Sequence, residues 1–127
     1  MFWPQPYDPK GDAAQCMQDW GVTSQPNWTL DYYGGWKPKA DFKDATNIIF
    51  SNGSQDPWHI GGINNQYWDA DKTGLVYVFI QDGAHHFDLR ADNLLDTKFV
   101  TDARATEMTY IKRYVKEYND ARDQVTQ

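Results

Sequence analysis

Two short stretches of the chain hold side chains able to do acid–base chemistry together. The first is Ser51-Asn52-Gly53-Ser54-Gln55-Asp56-Pro57-Trp58, which ends a β-branched run. The second is Asp82-Gly83-Ala84-His85-His86-Phe87-Asp88, which ends a longer apolar run. In open α/β sheets, ligands and catalytic groups gather beyond the carboxyl ends of the strands. Neighbouring strands would therefore bring Asp56 to one of the two histidines. A carboxylate that accepts the imidazole Nδ1 proton fixes the tautomer and leaves Nε2 as a general base for a nucleophile. Spacing alone leaves His85 and His86 equally eligible. Asp before His is also the order of α/β-hydrolases, in which the nucleophilic serine comes first. The same residues fit plain loop chemistry too, since Asp-Pro is ordinary in turns and a His-His pair in a glycine-containing loop is often simply exposed.

The chain offers such a base nothing to activate. Its serines, Ser24, Ser51 and Ser54, lie outside any G-x-S-x-G elbow. Cys16 falls in a short helix ahead of the sheet, and no oxyanion-hole loop can be picked out. By itself the chain is expected to be inactive. With Cys16 as the one cysteine, an internal disulfide and a zinc site built on several thiolates are excluded.

The elements that must position these residues are readable in outline. Asp12 with Gln15 forms a capping-box pattern for a short helix running through Met17 and Trp20 and stopping at Gly21. Residues 22–45 carry turn signals (Gln25-Pro26, Gly34-Gly35, Lys37-Pro38) and read as mostly loop. Residues 46–50 and Leu75–Ile80 read as strands. The second has no polar alternation, the mark of a strand covered on both faces in a parallel sheet. The residues between them suffice for a parallel crossover. Residues 102–122 read as a helix whose apolar face is Met108, Ile111, Val115 and Tyr118. Strand, crossover, strand, helix is an α/β pattern. Two strands do not make a stable open sheet, so the pattern reads as the end of an α/β domain: a loop-rich lead-in over 1–45, then strand-loop-strand-loop-helix over 46–127.

Composition narrows the function classes. The chain has 127 residues, enough for one small or incomplete domain, and its 40% hydrophobic content allows a core. Its 12 Lys and Arg against 18 Asp and Glu leave a net charge of −6. Without a basic stripe to neutralise phosphates, nucleic-acid binding is excluded as a reading. The longest apolar run, Leu75–Ile80, is far too short to span a bilayer. Met1-Phe2-Trp3-Pro4 lacks the basic and apolar regions of a secretory leader. Read literally that implies a cytosolic chain, and it fits equally the tail of a larger polypeptide.

The sequence resembles the C-terminal quarter of serine carboxypeptidases of the lysosomal Pro-X carboxypeptidase and dipeptidyl peptidase family. The resembling residues are Cys16-Met17-Gln18-Asp19-Trp20-Gly21-Val22, Tyr33-Gly34-Gly35 and Thr46-Asn47-Ile48-Ile49-Phe50-Ser51-Asn52-Gly53, followed by Asp56-Pro57-Trp58 and Gly83-Ala84-His85-His86-Phe87-Asp88-Leu89-Arg90. The resemblance implies the C-terminal part of an α/β-hydrolase fold: its last two parallel strands plus the C-terminal helix, incomplete alone. It implies a serine peptidase cleaving after proline, with Asp56 as triad aspartate, His85 as triad histidine and the serine upstream of this region. It matches Trp58 to a wall of the pocket that accepts proline, with a core Trp beside the turn as the equal alternative. Asp88 and Arg90 read as a structural ion pair.

The family enters the secretory pathway, so the resemblance makes the chain lysosomal or extracellular. It makes Cys16 half of a disulfide whose partner lies outside this chain. Asn27-Trp28-Thr29 is a sequon that would carry a glycan, as is Asn52-Gly53-Ser54, which its place on the catalytic loop disfavours. No metal or organic cofactor is implied. The implied partners are the upstream part of the same peptidase and a proline-containing peptide substrate, with a homodimer or larger assembly left open. Two rivals remain. One is a catalytically inactive remnant acting as a structural subunit, its aromatic side chains serving as interface anchors. The other is a carbohydrate-binding module using its tryptophans, against which the apolar strand Leu75–Ile80 argues.

Overall fold

A computed structural model describes residues 6–125, so the reading of Met1 to Pro4 lies outside the described residues, as does Trp3. The chain divides into two compact units, 1–34 and 35–127.

The first unit holds two helices. Helix α1 (Pro9–Trp20) begins ahead of the expected cap: Asp8, not Asp12, is the N-cap, and its carboxylate accepts the Gly11 N–H at 3.0 Å. Pro9 takes a first-turn position, where its missing N–H costs no hydrogen bond. Asp12 instead lies in the first turn, where a negative charge suits the helix dipole. The helix stops at Gly21, which adopts φ +65 and donates its N–H to the Met17 carbonyl. Helix α2 (Trp28–Tyr33) occupies residues expected to be loop. Its reason is aromatic: the Trp28 and Tyr32 rings stack at 5.2 Å, an i,i+4 pair that only a helical turn brings together.

The second unit runs α3 (Pro38–Asp41), β1 (Ile48–Gly53), α4 (Ala70–Thr73), β2 (Leu75–Ile80) and α5 (Lys98–Val125). Helix α3 is also in the stretch expected to be loop; the Asp41 carboxylate ties it back by accepting the Gly35 and Lys37 N–H groups, both at 2.9 Å. Strands β1 and β2 pair in parallel, from Ile48 opposite Leu75 to Gly53 opposite Ile80. Strand β2 has the expected bounds. Strand β1 is displaced toward its C-terminus, because Asn47 sits in the left-handed region at φ +58 and pairing continues through Ser51, Asn52 and Gly53. On the far edge of β2, the Gln66 side chain stands in for a strand: it accepts the Tyr77 N–H at 2.7 Å and donates to the Leu75 carbonyl at 3.0 Å.

The core lies between β2 and α5. Val76, Val78 and Ile80 pack with Val100 and Ala103, and Ile49, Phe87 and Tyr110 close its margins. Each fully buried aliphatic side chain contributes about 1.5–3 kcal/mol, so this small cluster is what holds helix to sheet. Two expectations need correction here. Strand β2 is not covered on both faces: Phe79 is exposed and Tyr77 only half-buried. The apolar face assigned to the last helix is likewise the wrong one. Met108, Ile111, Val115 and Tyr118 are all exposed, whereas Val100, Ala103 and Glu107 are buried and Tyr110 packs on the core. The helix is also longer than the expected 102–122. The architecture is mixed α/β: two parallel strands and a long C-terminal helix. Among the described residues, no helix is long and apolar enough to cross a membrane.

Candidate active site

The site is built by the two loops that leave the carboxyl ends of β1 and β2. Their backbones are laced together. Ser54 N–H donates to the Ile80 carbonyl at 3.0 Å, Gln55 N–H to the Gly83 carbonyl at 2.9 Å, and Asp82 N–H to Ser54 Oγ at 2.8 Å. Such close approach requires glycine. A Cβ on Gly53 would fall 2.3 Å from the Gly83 oxygen, and one on Gly83 would fall 2.7 Å from the Ile80 side chain.

The lacing fixes Asp56 against His85, whose Nδ1 lies 2.8 Å from Asp56 Oδ2. The other carboxylate oxygen accepts the Trp58 N–H at 2.9 Å. Pro57 has no N–H, so Trp58 supplies the first amide that can reach back, as in an Asx turn. The Asp56 carbonyl is in turn held by His59, through its N–H and its Nδ1. Asp56 is 9% exposed. Its carboxyl is held below the ordinary range, first by the His85 hydrogen bond and then by the Trp58 N–H, against the opposing pull of burial. An ionised carboxylate only accepts, so Nδ1 is the donor in this bond, and in the neutral imidazole that leaves the lone pair on Nε2. The His85 side chain is 51% exposed, which leaves the ring open for chemistry.

A cleft of about 240 Å³ opens here, lined by Ser51, Asn52, Asp56, Trp58, His85 and Asp88 among others. Trp58 is 75% exposed at its rim. His86 sits in the left-handed region at φ +62, its ring 3.7 Å from that of His85. The geometry separates the two histidines: His85 makes the contact to Asp56. Asn52 donates its amide to the Ile63 carbonyl at 2.6 Å. Cys16 and Asn27 belong to the first unit; Cys16 is a free, half-buried thiol in α1, and Asn27 is exposed at the start of α2.

Three side chains behind the histidine loop escape a reading of the sequence. Arg104, from α5, donates to the Phe87, Asp88 and Arg90 carbonyls and to the Asp92 and Asp96 carboxylates. Asp96, with a side chain 1% exposed, also takes Arg90, so Asp88 and Arg90 do not form the expected pair. The Arg104 hydrogen bond is the chief reason that the Asp96 carboxyl titrates low. Asp88 instead accepts the Ser51 hydroxyl at 2.5 Å. Glu107, also on α5, is buried and pushed up to about 7, first by burial and then by the charge of Asp88. The usable signal was an acid falling in the helical stripe of Val100, Ala103 and Tyr110. Among the described residues, no group of three or more His, Cys, Asp or Glu side chains is arranged to hold a metal.

An aspartate and a histidine so coupled at the carboxyl ends of two parallel strands can act as an orienting carboxylate and a general base. The serine carboxypeptidase S28 family matches residues 14–107, and the chain belongs to that family. It is 39% identical over 121 residues to human lysosomal Pro-X carboxypeptidase, covering 95% of this chain and 23% of that protein. The corresponding figures for the Bos taurus lysosomal Pro-X carboxypeptidase are 38% over 118 residues, 93% and 22%. A prolyl carboxy peptidase like protein 5 of Caenorhabditis elegans is 34% identical over 120 residues, with 92% and 23% covered. The chain thus spans about a quarter of the length of these curated relatives.

Proposed function

We propose that these 127 residues supply the aspartate and histidine of a Ser-Asp-His triad in a serine peptidase that cleaves after proline. The observation that carries the proposal is the 2.8 Å contact between His85 Nδ1 and Asp56 Oδ2, with the imidazole still half exposed beside a cleft. The nucleophilic serine would come from sequence outside this chain, within an α/β-hydrolase domain of which β1, β2 and α5 form the C-terminal part. The Gln66 side chain on the outer edge of β2 favours that arrangement, since it covers the edge where no further strand is needed.

In this mechanism the serine Oγ attacks the carbonyl carbon of the prolyl residue while its proton passes to His85 Nε2. Asp56 stabilises the imidazolium by accepting the Nδ1 proton in a hydrogen bond. The tetrahedral intermediate collapses as His85 protonates the leaving amine, giving an acyl-enzyme. Water, deprotonated by the same histidine, then releases the acid. Trp58 offers the pyrrolidine ring a flat apolar wall. The lysosomal relatives favour a lysosomal or secretory location; such a compartment permits a disulfide from Cys16 to a cysteine outside this chain and a glycan on the Asn27 sequon.

The test is expression of the full-length polypeptide and assay on peptides with a penultimate C-terminal proline and on N-terminal Xaa-Pro peptides. Release of the residue after proline, abolished by His85→Ala, supports the reading. A folded full-length protein that cleaves neither peptide and ignores serine-directed phosphonates overturns it, leaving the structural-subunit role.

A further inference from the structure

The histidine pair is not held by its own loop alone. Residues 87–96 carry little regular structure, yet they follow the His85-His86 pair directly and must be still if the His85 ring is to stay within 2.8 Å of Asp56. Arg104 gathers that segment around one side chain. Its Nη2 donates to the Phe87 carbonyl at 2.7 Å and the Arg90 carbonyl at 3.2 Å, and its Nε donates to the Asp88 carbonyl at 3.0 Å. Its Nη1 donates to Asp96 Oδ2 at 2.7 Å and Asp92 Oδ1 at 2.8 Å. A guanidinium has five N–H donors in one rigid plane, so the set meets its full capacity. Its side chain is only 16% exposed, and the shared Asp96 is tied further by the Asn93 N–H and by Arg90. A surface ion pair would need one of these contacts, and none of the three carbonyls.

We propose that Arg104 is a positioning residue: from α5 it clamps the backbone after the histidine pair and so keeps His85 in line with Asp56. The inference rests on the reading of His85 as the general base. Arg104 sits on the helix that the core of Val76, Val78 and Ile80 fastens to β2, so the clamp ties the loop to the same strand from which it departs. Lysine cannot replace it, because an ammonium offers three donors from one point and cannot span the carbonyls of Phe87, Asp88 and Arg90 together with two carboxylates.

The experiment is steady-state kinetics on a proline-containing peptide with the full-length enzyme, comparing wild type, Arg104→Lys, Arg104→Met and His85→Ala, each with a thermal melt. Because small misplacements of a reacting group are costly, Arg104→Lys should lower kcat per folded molecule roughly 10- to 100-fold, with KM within about twofold of wild type. Should Arg104→Met not accumulate as folded enzyme, Arg104→Lys carries the test, since it keeps a cation opposite the buried Asp96. An Arg104→Lys enzyme with wild-type kcat overturns the proposal. So does a loss of activity wholly explained by less folded protein at unchanged kcat, which would make Arg104 a fold-stabilising residue only. The underlying reading fails separately: full activity in His85→Ala removes the general base itself, whatever Arg104 does.

Discussion

Gly53 and Gly83 meet backbone to backbone: a Cβ added to Gly53 would lie 2.3 Å from the Gly83 oxygen. Each glycine precedes one half of the site, Asp56 on one loop and His85 on the other. Gly53→Ala must therefore part the loops and weaken the Ser54 to Ile80 and Gln55 to Gly83 hydrogen bonds. The expected cost is about 1–3 kcal/mol of stability, as for other overpacked sites, with a marked fall in kcat/KM. Gly61→Ala is the control, since nothing lies within 4 Å of a Cβ there. Urea unfolding of the full-length protein with parallel assays would check both.

Asp56→Asn keeps the shape of the carboxylate but turns one oxygen into a donor, which favours the wrong imidazole tautomer. In a serine protease the corresponding change lowers kcat by about 10⁴, and a comparable loss is expected here with little change in KM. The variant should also alter acid stability. Because the folded carboxyl titrates below its ordinary 3.8, its stabilising contribution is present above that value and is lost as pH falls through the folded one. A melting profile taken into acid should be flatter for Asp56→Asn.

Glu107 sets the opposite slope. Burial and the nearby charge of Asp88 raise its carboxyl from 4.5 to about 7. Between those values the folded chain holds a proton that the unfolded chain has released. Stability should therefore fall as pH rises through the window. Glu107→Gln is neutral throughout and should remove that decline, so that the variant gains on wild type above pH 7 in Tm measured against pH.

Trp58 is 75% exposed, so Trp58→Ala should change stability by no more than about 0.5 kcal/mol. If its ring receives proline, KM for proline-containing peptides should rise while the melting temperature stays put. A change in Tm without a change in KM would assign the ring a structural role.

Parts of this molecule were legible residue by residue. Strand β2 runs from Leu75 to Ile80 as its apolar run and flanking Gly74 and Asp82 predict, and α1 stops at Gly21. Both features depend on residues within a turn of each other. The start of α1 is not legible in the same way, because Asp8-Pro9 and Asp12-Gln15 are competing local signals and proline in the first turn settles the choice. Helices α2 and α3 leave little trace in the sequence because each is short and lies between strong turn signals. Aromatic stacking holds the one and the Asp41 carboxylate the other.

The remainder depended on what lies across the fold. The residue types and the order Asp56 before His85 were in the chain, but parallel pairing across a crossover brought them to 2.8 Å. The positions Val100, Ala103, Glu107 and Tyr110 on α5 recur at the same helical steps as Met108, Ile111, Val115 and Tyr118. Periodicity cannot rank two such stripes, and the one made of Met108, Ile111, Val115 and Tyr118 has no charged member, whereas the other includes Glu107. The sheet ranks them: Val76, Val78 and Ile80 receive Val100 and Ala103, and that rotation carries Arg104 to the histidine loop and Glu107 to Asp88. Local sequence determined which residues could react and where the strands stop, because turn and cap preferences act over a few residues. Which helix face is buried, and so which side chains stand behind the histidine, was decided by tertiary packing, because it is a property of the surface that the helix meets.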